Sequence, residues 1–138
     1  MRSLRIVISL ILLSAVSIAF QGCVSGFRAA SSGVTTKANF LIGNLSPRTT
    51  FSTEEVICFY VSVTWNDVNQ EPGWEEVAWN WYNDGKLVGH RENDRAFFRG
   101  APNTRHLFQP ASALGAGHIK AECLINGNQI AVAEFDIK

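Results

Sequence analysis

The chain has little cysteine, little proline and no net charge, and each shortage narrows what it can be. Three cysteines in 138 residues are too few for a domain built on a dense disulfide framework. Four prolines against eleven glycines leave glycine as the main turn-former and point to many tight turns. Twelve basic side chains balance twelve acidic ones, so no global basic field exists to hold nucleic acid or an anionic membrane surface. No His-x-x-x-His spacing prepares a metal site, no Gly-x-Ser-x-Gly elbow presents a nucleophile, and no glycine-rich loop cradles phosphate. His90, His106 and His118, with Asp84, Glu92 and Asp94, are the residue types a metal or acid-base site would use, but none falls at a ligand spacing. The sequence therefore reads as noncatalytic, with no cofactor and no metal. What it does have is a composition of 46% hydrophobic and 17% charged residues, with four tryptophans and nine phenylalanines, enough apolar surface for one globular core.

Arg2 and Arg5 precede an apolar stretch from Ile6 to Phe20, broken only by Ser9, Ser14 and Ser17. This is the layout of a secretory signal. The stretch is shorter than the roughly 20 residues a spanning helix needs. It closes on Gly22-Cys23, which resembles the lipobox of bacterial lipoproteins, although Phe20 stands where that family usually has an aliphatic residue and Gln21 is an uncommon neighbour. The resemblance implies a signal peptide over residues 1–22 and an acylated Cys23 as first mature residue, attaching the chain to a membrane. Ordinary signal-peptidase cleavage, leaving Cys23 as a thiol, is the alternative. Val24 in place of an Asp implies, by the same resemblance, an outer-membrane destination. Loss of Arg2 and Arg5 from the twelve basic side chains leaves ten against twelve acidic ones, a formal charge of −2.

Residues 23–35, rich in Ser, Ala and Gly, read as a lipidated flexible tether, and residues 36–138 as the domain. Ala38, Phe40 and Ile42 alternate with Lys37 and Asn39, the pattern of a half-buried strand. Ile57, Phe59, Val61, Val63 and Trp65 form the apolar face of a second, with Cys58 and Tyr60 opposite. A polar loop from Asn66 carries Pro72, Gly73 and Trp74. Val77, Trp79 and Trp81 then share a face leading into the Asp84-Gly85 turn, and a second hairpin turns at Asn126-Gly127. Ala96–Arg99 and Thr104–Gln109 are shorter strand candidates, and the PASALGAG link is long enough for one helical turn.

Seven or eight strands without a long helix predict an all-β, antiparallel sandwich. From Trp79 to Ile137, the WYNDGKLV hairpin, the LGAGHIKAE link and the final Asn-Gly hairpin also resemble the C-terminal half of immunoglobulin-like domains of exported bacterial accessory proteins. That resemblance implies an inter-sheet disulfide between Cys58 and Cys123. Strand phase opposes it, because Cys123 lies on an apolar face and Cys58 does not, so two separate buried thiols are the alternative.

Trp74 is the tryptophan that alternation leaves outside the core, and Arg95, Arg99 and Arg105 make the neighbouring segment locally basic. As a site, these residues suit an envelope protein or glycan. As plain structure, the indole folds back over the sandwich and the arginines form a solvated rim. The leading expectation is a membrane-tethered binding domain that positions another cell-envelope component. A carbohydrate-binding module and the small lipoprotein of a secretion assembly are the alternatives.

Overall fold

Alternating apolar and polar side chains fold the chain almost entirely into strands. The computed structural model describes residues 26–65, 71–99 and 103–138. The signal, Cys23 and the side chain of Trp65 lie outside the described residues. In chain order the elements are β1 (Phe27–Thr36), α1 (Lys37–Leu41), β2 (Thr50–Phe51), β3 (Val56–Trp65), β4 (Gly73–Asn83), β5 (Lys86–Phe98), β6 (Asn103–Pro110), α2 (Ala111–Leu114), β7 (Gly117–Ile125) and β8 (Asn128–Ile137).

The strands form two sheets, one ordered β1-β3-β6 and the other β2-β8-β7-β4-β5. All pairings are antiparallel except the short parallel pair of β2 with β8. This is an immunoglobulin-like β-sandwich. Its core is the meeting of the faces read from alternation: Ile57, Phe59, Val61 and Val63 from β3 against Val77, Trp79 and Trp81 from β4 and Ile119, Cys123 and Ile125 from β7. Phe59 meets both tryptophans edge-on, with ring centroids 5.5 Å from Trp79 and 5.9 Å from Trp81, the geometry ring quadrupoles favour. Both hairpin turns form as expected, with positive φ at Asp84 (47°), Gly85 (83°), Asn126 (51°) and Gly127 (80°). The expected helical turn in the PASALGAG link is α2.

Register fixes what lies at each end. Phe27 pairs with Trp65, Gly73 with Phe98, and Val63 with Asn103. The near end thus carries the starts of β1, β4 and β6, the ends of β3 and β5 and, close by, the Asn126-Gly127 turn. Thr36 pairs with Ile57 and Gly117 with Ile137, so α1, α2 and the close of β8 sit at the far end.

Four expectations need correction. The tether read over 23–35 is, from Phe27 onward, strand β1, whose Phe27 and Val34 enter the core. Its small residues serve packing: a Cβ at Gly33 would stand 2.5 Å from the Tyr60 hydroxyl oxygen. The strand expected at Ala38–Ile42 is α1 instead, capped by the Thr36 hydroxyl, which accepts the Asn39 N–H at 3.1 Å. Phe40 is thereby turned onto the outer face of β3 and β6, 4.5 Å from the His106 ring and 5.8 Å from Phe108. The short strand expected at Ala96–Arg99 is the end of β5, a 13-residue strand whose pairing partner takes in Trp74, so that residue lies on β4 and not in a loop.

The fourth correction concerns the disulfide. Cys58 and Cys123 are separate buried thiols. Cys58 sits on the face of β3 opposite Ile57 and Phe59, while Cys123 lies in the core directly across from Trp79. Burial pushes both thiols up to about 12, which leaves them protonated and unreactive at neutral pH.

Candidate binding surface

At the near end the β4–β5 ladder places Trp74 directly opposite Phe97. Strand alternation turns Phe97 away from the core between the buried Ala96 and Phe98, and the direct pairing puts Trp74 on the same outer side, opposite in phase to the buried Val77. The two rings meet edge-on at 5.4 Å, and Trp74 remains 60% exposed. The Arg95 guanidinium lies 5.8 Å from the Trp74 ring centroid and that of Arg99 lies 5.6 Å from Phe97. Three of the four residues singled out from sequence therefore converge on one rim, joined by Phe97, which sequence reasoning missed. Its signal was its phase, one residue before the buried Phe98.

Arg105 stands apart from this rim. On β6 it points between the sheets, donates from Nη2 to the Phe97 carbonyl at 3.2 Å and covers the Phe98 ring at 5.1 Å. It is a strut across the edge where β5 and β6 face each other without a ladder. Behind it lies a polar cleft of about 130 Å³ lined by Trp79, Asp94, Thr104 and Arg105. Trp79 Nε1 and Arg105 Nε are buried there without a hydrogen-bond partner, as is Trp81 Nε1 elsewhere in the core.

The far end carries a second surface that the sequence did not reveal. Leu41 and Ile42 are 65% and 78% exposed, and Leu41, Ala38 and Val56 border an open apolar hollow of about 410 Å³. Reading Ile42 as an inward strand residue concealed it.

The three histidines are dispersed. His106 stacks on Phe40 and Phe108 outside the three-stranded sheet, where burial, then Arg105, lowers its pKa. His90 contacts Asn80 and lies 3.2 Å from Glu92. His118 bonds Asp136 at 2.8 Å and Glu134 at 3.3 Å, and these two bonds, the first the stronger, raise its pKa. Glu122 is partly desolvated, which opposes ionisation, yet bonds from Asn80, Gln129 and Tyr82 together hold it below the usual carboxylate value. Among the described residues no three metal-ligating side chains gather. No helix among them is long and apolar enough to cross a membrane.

No family model matches the sequence, and comparison with curated proteins gives no match either. Solved structures do share the fold. An immunoglobulin-like protein from Pseudomonas aeruginosa is similar over 85% of this chain and 100% of its own, with a TM-score of 0.53 and 14% identity. The alkylpurine DNA glycosylase AlkC from Pseudomonas fluorescens, bound to DNA containing an abasic site analog, is similar over 83% of this chain, with a TM-score of 0.59 and 14% identity. A mutant β-glucosidase from Listeria innocua in complex with laminaribiose matches 78% of this chain at 9% identity, with a TM-score of 0.50. The chain spans 31% of the glycosylase and 16% of the glucosidase, so these likenesses describe one domain within larger enzymes. At such identities the likeness is one of fold, and the fold is immunoglobulin-like.

Proposed function

We propose that the chain is an exported, lipid-anchored and noncatalytic immunoglobulin-like domain that binds or positions another component of the cell envelope through its near-end rim. The observation that carries this reading is the convergence of Trp74, Phe97, Arg95 and Arg99 on one exposed edge. An exposed indole beside guanidinium groups is the composition of an interface anchor, since it combines apolar area with directed donors at low entropy cost. The Gly22-Cys23 junction supports the anchor. Arg95 lies over Trp74, and an indole so covered has one face fewer for a sugar ring. That favours an amphipathic surface over a glycan as the occupant.

Affinity capture from gently solubilised envelopes tests the rim, with recovered polypeptide, glycan and phospholipid all quantified. Trp74→Ala should keep the circular dichroism and melting temperature of the parent while weakening recovery by about fivefold or more, the equivalent of about 1 kcal/mol. Equal recovery from two folded proteins overturns the rim as the binding surface. Intact-mass analysis of the membrane fraction tests the anchor, and a mature chain without lipid on Cys23 overturns it.

A further inference from the structure

We infer that the near-end rim is the domain's membrane-contact face, and that its partner is the phospholipid headgroup layer of the same bilayer that holds Cys23. This deepens the reading above and rests on it. The link between anchor and domain is short. Cys23 precedes Gly26, the first described residue, by three positions, a reach of at most about 11 Å for extended backbone. Register then places the rim beside that link. Phe27 packs on Phe98 with ring centroids 5.3 Å apart, Phe98 pairs with Gly73, and the adjacent pair is Trp74 with Phe97. An acylated Cys23 holds the near end within a few residues' length of the bilayer, and the exposed aromatic pair stands at that end.

The chemistry matches the place. Tryptophan concentrates at membrane interfaces because its ring is apolar and its N–H polar. Arginine beside it reaches phosphate oxygens while its stem lies along apolar surface. Arg28 lies on the same end, but so do Glu71, Glu75 and Glu76, so the end is not net basic. The contact is therefore interfacial insertion and not attraction to anionic lipid, and it does not require anionic headgroups. Insertion of Trp74 and Phe97 presses the open end of the β4–β5 ladder onto the headgroup layer. The opposite pole, with Leu41 and Ile42, is left clear of the bilayer.

The test uses the mature lipidated protein reconstituted into vesicles, with tryptophan emission recorded against lipids brominated on their acyl chains near the headgroup. Both the parent and the Trp74→Phe protein carry Trp65→Phe, so that the buried Trp79 and Trp81 serve as the unquenched background. Bromination should reduce the Trp74 contribution by about twofold or more, and Trp74→Phe should abolish that loss. The loss should be similar in phosphatidylcholine and in phosphatidylethanolamine with phosphatidylglycerol. Absence of quenching, or quenching that persists in Trp74→Phe, overturns the inference, as does quenching confined to vesicles with anionic lipid. If quenching is absent while capture of a polypeptide or glycan still depends on Trp74, the rim binds something other than its own membrane and the broader reading stands. If both are absent, both fall.

Discussion

Trp79 and Trp81 share the inner face of β4, each 1% exposed and each edge-on to Phe59. Truncation of Trp81 to Ala removes a fully buried ring system, and we expect a loss of about 3–5 kcal/mol in urea denaturation. Trp81→Phe should cost markedly less, because it keeps most of the ring volume and deletes an indole N–H that has no partner in the core. His118 provides a pH test at the same scale. Asp136 and Glu134 favour its charged form only in the folded chain, so its folded pKa lies above its unfolded one. The stabilisation is full below the unfolded value and fades as pH rises through the folded value. The stability difference between the parent and His118→Asn should therefore shrink as pH is raised from about 5 to alkaline values. A difference that widens with pH contradicts the assignment, and an imidazole NMR titration locates the midpoint directly.

The elements divide into those whose local sequence dictates them and those imposed by neighbours. The β7–β8 hairpin belongs to the first kind. Gly127 holds φ +80° with no atom within 4 Å of the place where a Cβ would stand. Gly127→Ala therefore tests backbone strain without steric interference, and we expect a loss of about 1–2 kcal/mol in equilibrium unfolding. Element α1 belongs to the second kind. Five residues are too few to display a helical period, and Ala38, Phe40 and Ile42 alternate as a strand would. The hydroxyl cap at Thr36 and the seat of Phe40 between Tyr60, His106 and Phe108 decide the outcome. Strand β5 was half hidden for a related reason. It is an edge strand, and the charges of HREND, with register shifts against β4 between Val77 and Trp79 and between Trp81 and Tyr82, break its alternation as they protect its edge.

At the scale of the whole molecule, the sandwich, its inner faces and both tight turns were legible because each is a repeat of local chemistry. The candidate site was legible only in part. Trp74, Arg95 and Arg99 stood out as an aromatic and a charge excess, but their convergence with Phe97 depends on the β4–β5 register, which no single segment encodes. Arg105 read as rim and proved to be a strut, since its inward phase on β6 is set by Leu107 two positions on. The disulfide failed by one residue of phase, with Phe59 and not Cys58 facing Trp79. The β1 segment was missed because its small side chains are demanded by Tyr60, a residue distant in sequence.

The placement of Phe27 and Ile137 at opposite ends of the sandwich gives the domain a mechanical character. A pull on β1 away from the near end, resisted at β8 from the far end, runs along both strands. Ladder hydrogen bonds lie across that direction, so the β1–β3 pairs from Phe27–Trp65 to Thr36–Ile57 are sheared together and share the load. Were both points of attachment on one side, the same bonds would open one after another like a zip. If the proposed anchor holds β1 and a load acts on β8, the domain is pulled in its resistant direction, and the β1–β3 ladder is the part that would bear the strain.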